Sequence, residues 1–282
     1  MSIFQEFLES SLKQKIKNLI PLTGGASADI NRIILANNKE LIVRRSVIKN
    51  EAVMAIPKVL EAKIQKTVKA FGAPVPEIVM EFSEANEIGE GYIMEAVSGE
   101  TIPRKILKND NYEFIRNKLP FEIGRSLAQI HQTEIDQLQE LEQVTFEESL
   151  NKLFIIYKSF NQPQPVFDLA FKWLEKRKIV DYGKVLVHGD YRFGNVEKRA
   201  AGLGDIDELI AGYESNSKIK VDKSQLDIWQ LYGSLRWGII CMVQTFAHLS
   251  GAVNSLEKAA IGRRVSETEF DLMNMIKNQN FL

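Results

Sequence analysis

The chain has 282 residues, 45% of them hydrophobic and 26% charged, with a formal net charge of −1. That length supports a sizeable core or two lobes, and the near-neutral balance offers no global case for nucleic acid or an anionic membrane as partner. A single cysteine, Cys241 in "GIICMV", excludes a disulfide framework and reads as a buried, inert thiol.

The N-terminus "MSIFQEFLESSLKQK" is too charged for a signal peptide, and no segment approaches about 20 uninterrupted apolar residues. A reduced, cytoplasmic location without a membrane span is expected. Over residues 3–19, Phe4, Phe7, Leu8, Leu12, Ile16 and Leu19 recur at helical spacing and predict one amphipathic helix. A glycine-containing loop, "LTGGASADI", then leads to two β-branched runs, "INRIILA" and "ELIVR", around the turn signal "NNK". These predict a hairpin. Residues 51–71 read as a helix that stops at Gly72, with Pro74 and Pro76 barring continuation. "EIVMEF" and "GYIMEAV" predict two more strands. Up to Val97 the order is that of a small α+β lobe.

Past "SGETIPR" the pattern turns mostly helical. Pro120 splits or starts a helix near 111–134, and Thr145 with Glu148 forms a capping box ahead of another. Pro165 opens "PVFDLAFKWLEKRK" at a first-turn position. A short strand, "VLV", is expected before His188. Helices follow near 206–216, 223–250 and 253–278, with Gly251 placed to cap the second of these. One boundary is placed near residues 97–100, giving an N-terminal lobe, 1–97, and a C-terminal lobe, 98–282.

The stretch "VLVHGDYRFGNV" carries the chemistry. A strand end would present Asp190, and Asn195 would reach the same cavity if the intervening residues curl back. A carboxylate with a carboxamide oxygen suits the orientation of a hydroxyl and the holding of a hard cation such as Mg²⁺. The D-x-x-x-x-N spacing is that of a kinase catalytic loop. On these residues alone, Gly189-Asp190 can also be a turn that Asn195 caps.

Together with "LTGGASADI", "GAPVPEIV" and "GYIMEAVSGETI", this stretch resembles the aminoglycoside phosphotransferase / choline kinase-like family over nearly the whole chain. The C-terminal "LRWGIICMVQTFAHLSGAVNSLEKAAIGRRVSETEFDLM" resembles the subgroup associated with acyl-CoA dehydrogenases. The resemblance implies a bilobal, protein-kinase-like α+β fold, with a small sheet lobe that binds ATP and a larger helical lobe that binds a hydroxylated small molecule. It implies that Asp190 is the catalytic aspartate and Asn195 a Mg²⁺ ligand. Arg44 falls where the family usually has the phosphate-contacting lysine, and Glu61 where it has that cation's ion-pair partner. Arginine there is not a neutral exchange, because it presents a planar fork that cannot deprotonate. Gly24, Gly25 and Ser27 would bring backbone N–H groups near the phosphates. Glu95 through Val97 would offer hinge backbone groups to adenine. Plain readings stand beside these: an exposed strand charge for Arg44, a solvated helix face for Glu61. Met94, His131 and His248 read as packed residues, and His188 as a brace for the catalytic loop. Trp229, Tyr232, Arg236 and Trp237 are candidates to surround the acceptor, though such aromatics also serve as core.

The pattern breaks after Asn195. The family has a second metal aspartate there, and this chain reads "VEKRAAGLGDIDELIAGYES". Either Asp207 of "GDID" is that ligand, or Asp205 caps a helix whose inner face is Ile206, Leu209, Ile210 and Tyr213. The second accounts for more residues and leaves Asp207 as a first-turn acid. The sequence therefore supports two functions: transfer of phosphate from ATP to a small-molecule hydroxyl, possible acceptors including a hydroxyacyl-CoA, or a pseudokinase that retains nucleotide binding.

Overall fold

The structure, a computed structural model, describes residues 2–22, 28–46, 56–83, 88–100, 103–189 and 204–278. The chain divides into two compact units, residues 1–141 with 184–220, and residues 142–183 with 221–282. The expected boundary near residue 97 falls inside the first unit.

The first unit begins with helix α1 (Ile3–Leu12), capped by Ser2, whose hydroxyl accepts from the Gln5 N–H. The helix is shorter than its spacing predicts. Lys13 turns into the left-handed region at φ 51°, and the chain continues as strand β1 (Ile16–Pro21). The i,i+3 spacing of Ile16 and Leu19 is a helical one; in β1 both still face the α1 core, because the pairing with β2 (Asp29–Leu35) shifts register between Ile16 and Asn18. β2 and β3 (Glu40–Ser46) form the expected hairpin, with Asn38 at φ 63° in its turn. Helix α2 (Lys58–Ala70) ends before Gly72 at φ 87°, as read, and β4 (Ile78–Ser83) and β5 (Glu90–Glu95) complete the sheet. Its order is β1-β2-β3-β5-β4, with antiparallel neighbours. On one face α1 closes a core of Phe4, Leu8, Ile33, Leu35, Leu41, Val43, Phe82 and Ile93. The other face carries α2 on a smaller core of Ala62, Ile78 and Tyr92, with Met94 packed beside it.

Short helices α3 (Pro103–Lys108) and α4 (Glu113–Arg116) lead to α5 (Leu119–His131), which Pro120 opens from its first turn. α5 crosses α6 (Ile206–Ser215) at very short range. A Cβ on Gly124 would lie 1.9 Å from the Leu209 carbonyl oxygen, and one on Gly212 would lie 1.9 Å from that of Phe121. Only glycine permits this approach.

The second unit is helical. α7 (Phe146–Ser159) starts with the predicted capping box of Thr145 and Glu148, and α8 (Pro165–Glu175) with Pro165 in its first turn. α9 (Leu226–Leu249) ends before Gly251 at φ 78°. The last predicted helix is two, α10 (Leu256–Ile261) and α11 (Arg264–Asn278), separated at Gly262 and Arg263. Trp173, Tyr157, Phe167, Phe171, Leu231, Leu235 and Leu272 are buried in its core. Cys241 is buried and free. No helix among the described residues is long and apolar enough to cross a membrane. A five-stranded antiparallel sheet followed by a mostly helical C-terminal part is the protein-kinase-like α+β arrangement.

Candidate active site

Strand alternation sends consecutive side chains to opposite faces. On β3 this separates two adjacent arginines. Arg45 turns to the α1 face, where its guanidinium lies 3.6 Å from the centre of the Phe4 ring and its Nε donates to Asp29 Oδ2 at 2.8 Å. Arg44 turns to the α2 face. The β3–β5 register sets Arg44 directly opposite Tyr92, so both reach the same point beneath α2.

Glu61 stands at that point, in the first turn of α2. Arg44 Nε lies 3.0 Å from Glu61 Oε1, and both side chains are about a quarter exposed, 25% and 26%. The Arg44 Nε–H is nevertheless buried without a hydrogen-bond partner, so the contact is one of charge, with the N–H directed off the oxygen. The hydrogen bonds to Glu61 come from elsewhere. Tyr92 Oη donates to Oε1 at 2.9 Å, and Lys58 Nζ donates to Oε2 at 3.0 Å. Burial, and then the Glu61 charge, push the Tyr92 hydroxyl well above its ordinary pKa, so it stays protonated and able to donate. The Lys58 side chain is only 4% exposed. Its backbone N–H, which Pro57 leaves without a side-chain cap, donates to Glu90 Oε1 at 2.8 Å.

The expected pair of Arg44 and Glu61 therefore meets. Lys58, Tyr92 and Glu90 were not among the residues read as site candidates. The Lys58-x-x-Glu61 spacing was visible, because residues three apart share a helix face. Tyr92 and Glu90 become neighbours of α2 only through the sheet register.

Glu95 ends β5. Its side chain pairs with Lys39 at 3.1 Å, and its backbone N–H donates to the Glu77 carbonyl. Val97 is 74% exposed, and among the described residues its backbone N–H donates no hydrogen bond. Gly24, Gly25, Ser27, Asp190 and Asn195 lie outside the described residues. Residues 185–187, expected as a strand, have no regular structure. A strand needs a hydrogen-bonded neighbour, and among the described residues none pairs there; only Leu186 of the three is buried.

The "GDID" segment takes the helical form. Asp205 is the N-cap of α6, its Oδ1 accepting from the Asp207 N–H at 3.2 Å, and Asp207 is an exposed first-turn acid. Ile210 and Tyr213 are buried, and Tyr213 Oη lies 2.9 Å from His131 Nδ1. His131 is thus a packed residue, and burial holds its pKa below the usual 6.5. Among the described residues, no three His, Cys, Asp or Glu side chains lie close enough to hold a metal ion.

In the second unit, Trp229 meets Phe146 and Tyr232 edge-on, Tyr232 lies tilted against Phe146, and Arg264 lies over the Trp237 ring. The cavity of about 250 Å³ in that unit is lined elsewhere, by Phe160, Met242, Phe246, Leu249, Val265 and Glu269 among others. His248 Nδ1 accepts from the Ser255 N–H and closes the turn after α9.

Solved structures share this fold. A protein from Ralstonia eutropha JMP134, named as an aminoglycoside phosphotransferase, superposes with a TM-score of 0.69 at 16% identity, over 97% of this chain and 98% of that one. Amicoumacin kinase hAmiN, in complex with AMP-PNP, Ca²⁺ and Ami, gives 0.60 at 14% identity, over 96% and 94%. The GDP and kanamycin complex of APH(2″)-IIia gives 0.58 at 13%, over 97% and 99%. At such identities the likeness establishes the fold and not the substrate. No curated protein matches the sequence. Residues 18–196, well over half of the chain, match the phosphotransferase enzyme family, and the chain belongs to it.

Proposed function

We propose that the protein transfers the γ-phosphoryl group of ATP to a hydroxyl of a small molecule. The observation that carries this is the Arg44–Glu61 pair between β3 and α2, in a chain of the phosphotransferase enzyme family. The hydroxyl oxygen forms the new bond to phosphorus, the bond to the bridging oxygen breaks, and ADP leaves. Asp190 orients the hydroxyl and takes its proton. Arg44 faces the phosphates and offsets their charge, so catalysis is mainly positioning and electrostatic stabilisation. Gly24, Gly25 and Ser27 line the phosphates, and the backbone from Glu95 to Val97 receives the adenine. In this division residues 1–97 bind the nucleotide and residues 98–282 bind the acceptor. A divalent cation, Mg²⁺ by our assignment, would be held by Asn195 and would neutralise phosphate charge when bound.

The nucleotide and cation assignments are supported by the AMP-PNP, GDP and Ca²⁺ in relatives of the same fold. Those relatives take amicoumacin and kanamycin, which favours hydroxylated small molecules as the acceptor class. A hydroxyacyl-CoA rests on the C-terminal resemblance alone. The cytoplasm is the location that suits an ATP-dependent kinase.

One observation favours a second reading, a nucleotide-binding module without transfer activity. Among the described residues after Asn195, Asp205 caps α6 and Asp207 lies in its first turn, the helical alternative to a metal-binding aspartate in "GDID". The test is Mg²⁺-dependent ATP turnover with aminoglycosides, macrolides and hydroxyacyl-CoAs as acceptors, with Asp190→Ala as control. Turnover that the substitution abolishes supports the kinase. Nucleotide binding without turnover on any acceptor supports the module.

A further inference from the structure

Lys58 stands where a lysine is least expected. It is the first residue of α2, where the helix dipole disfavours a cation, and its side chain is 4% exposed. A buried ammonium is tolerated only when paired, and an i,i+3 pair on a helix surface would not demand burial. Among the described residues, its one hydrogen-bond acceptor is Glu61. The same residue is fastened through its backbone, since its N–H donates to Glu90 Oε1 across to β5. α2 is thus tied to β5 near its start by Glu90 to Lys58 and by Tyr92 to Glu61, with a longer contact of Gln65 Nε2 and Met94 Sδ further along the helix.

The two oxygens of Glu61 each have a donor, Lys58 on Oε2 and Tyr92 on Oε1. Neither is Arg44. Among the described residues the Arg44 guanidinium donates no hydrogen bond, and its Nε–H is buried without an acceptor. Glu61 holds Arg44 by charge while its own hydrogen bonding is satisfied by others. A guanidinium so placed keeps its N–H groups for an incoming anion, and its fork geometry suits phosphate oxygens.

We propose that Lys58 is a positioning residue for nucleotide binding: with Tyr92 it fixes the Glu61 carboxylate, and so leaves the Arg44 donors to the phosphates of the nucleotide. This rests on the reading of Arg44 as the phosphate-facing cation. Lys58 acts through Glu61 and does not itself touch the ligand. Two cations thus share the carboxylate, one to anchor it and one to use it.

The test is a double-mutant cycle on the dissociation constant of ADP and of a non-hydrolysable ATP analogue, with unfolding curves to establish that each variant is folded. Lys58→Met is expected to weaken binding about tenfold, in the range of coupling within one ion-pair network. Lys58→Arg, which keeps the cation, should stay within about threefold of the parent. The decisive comparison is Lys58→Met in the Glu61→Gln background, where it should cause no further loss. This double variant also removes the buried Lys58 charge that Glu61→Gln alone would leave without its carboxylate. If the two substitutions multiply in their effects, or if folded Lys58→Met binds as tightly as the parent, Lys58 has only a structural role and the proposal falls. Absence of nucleotide binding by the parent overturns the proposed function as well, and so separates the two failures.

Discussion

The two faces of the sheet carry different materials. On the α1 face Ile33, Val43 and Ile93 are fully buried, and Phe4 and Leu8 close over them. On the α2 face a small apolar core of Ala62, Ile78 and Tyr92 sits beside Arg44, Lys58 and Glu61. Apolar burial stabilises without regard to direction, whereas buried charges add little net stability and require defined geometry. The α1 face therefore holds the sheet together. The α2 face uses that stability to hold charged groups in place.

Substitutions on each face should separate these roles. The largest loss of stability is expected from Leu8→Ala on the α1 face, about 3 kcal/mol, because it leaves a cavity among packed side chains. Urea unfolding measures the loss, and nucleotide affinity of the folded variant should be unchanged. A parallel loss of affinity would mean that the two faces are not separable. Glu61→Ala on the α2 face should cost about 2 kcal/mol, less than a fully buried pair because the site is partly exposed. Its effect on ATP turnover should be far larger than its effect on the fold, on the order of 100-fold in kcat/KM. Wild-type turnover from this variant would remove the functional distinction between the faces.

Two smaller effects lie away from the sheet and serve as references. Thr145→Ala removes the capping box of α7 and should lower stability by about 1 kcal/mol, with nucleotide binding intact. Calorimetry and binding on the same sample check both halves of that statement. His131 gives a pH dependence. Its folded pKa lies below the usual 6.5, so the unfolded chain takes up a proton first as pH falls through that value. The stability contribution is fully present above about 6.5 and is lost as pH drops through the lower folded pKa. Thermal midpoints between pH 7.5 and 5.5 should fall, and His131→Gln should flatten that part of the curve.

Much of the architecture was legible in local signals. The hairpin of β2 and β3, the ends of α2 and α9 at glycines, the Thr145 cap and the Pro165 start all follow from short-range backbone chemistry. Arg44 and Glu61 were legible as a pair only through resemblance, since nothing within "LIVRR" or "LEAK" points one to the other. The two errors at the ends of the chain have separate causes. Ile16 and Leu19 keep the helical spacing of three, and only the register shift between Ile16 and Asn18 in the pairing with β2 lets a strand turn both to one core. The last helix breaks at Gly262, where a Cβ would lie 2.6 Å from Thr245 Oγ1, a contact that no helical periodicity reveals.

By itself the sequence determined the elements from the β2–β3 hairpin through β5, several turns and caps, and the membership of "HGDYRFGN" and its companion segments in one family. These depend on residues close together in the chain, whose steric and hydrogen-bonding preferences act locally. Only the tertiary structure decided that Tyr92 and Lys58, and not Arg44, supply the hydrogen bonds to Glu61. It also decided that Asp205 and Asp207 belong to the start of a helix. Both outcomes are set by sheet register and by the glycine crossing of α5 with α6, where residues far apart in sequence compete for the same space and the same hydrogen bonds.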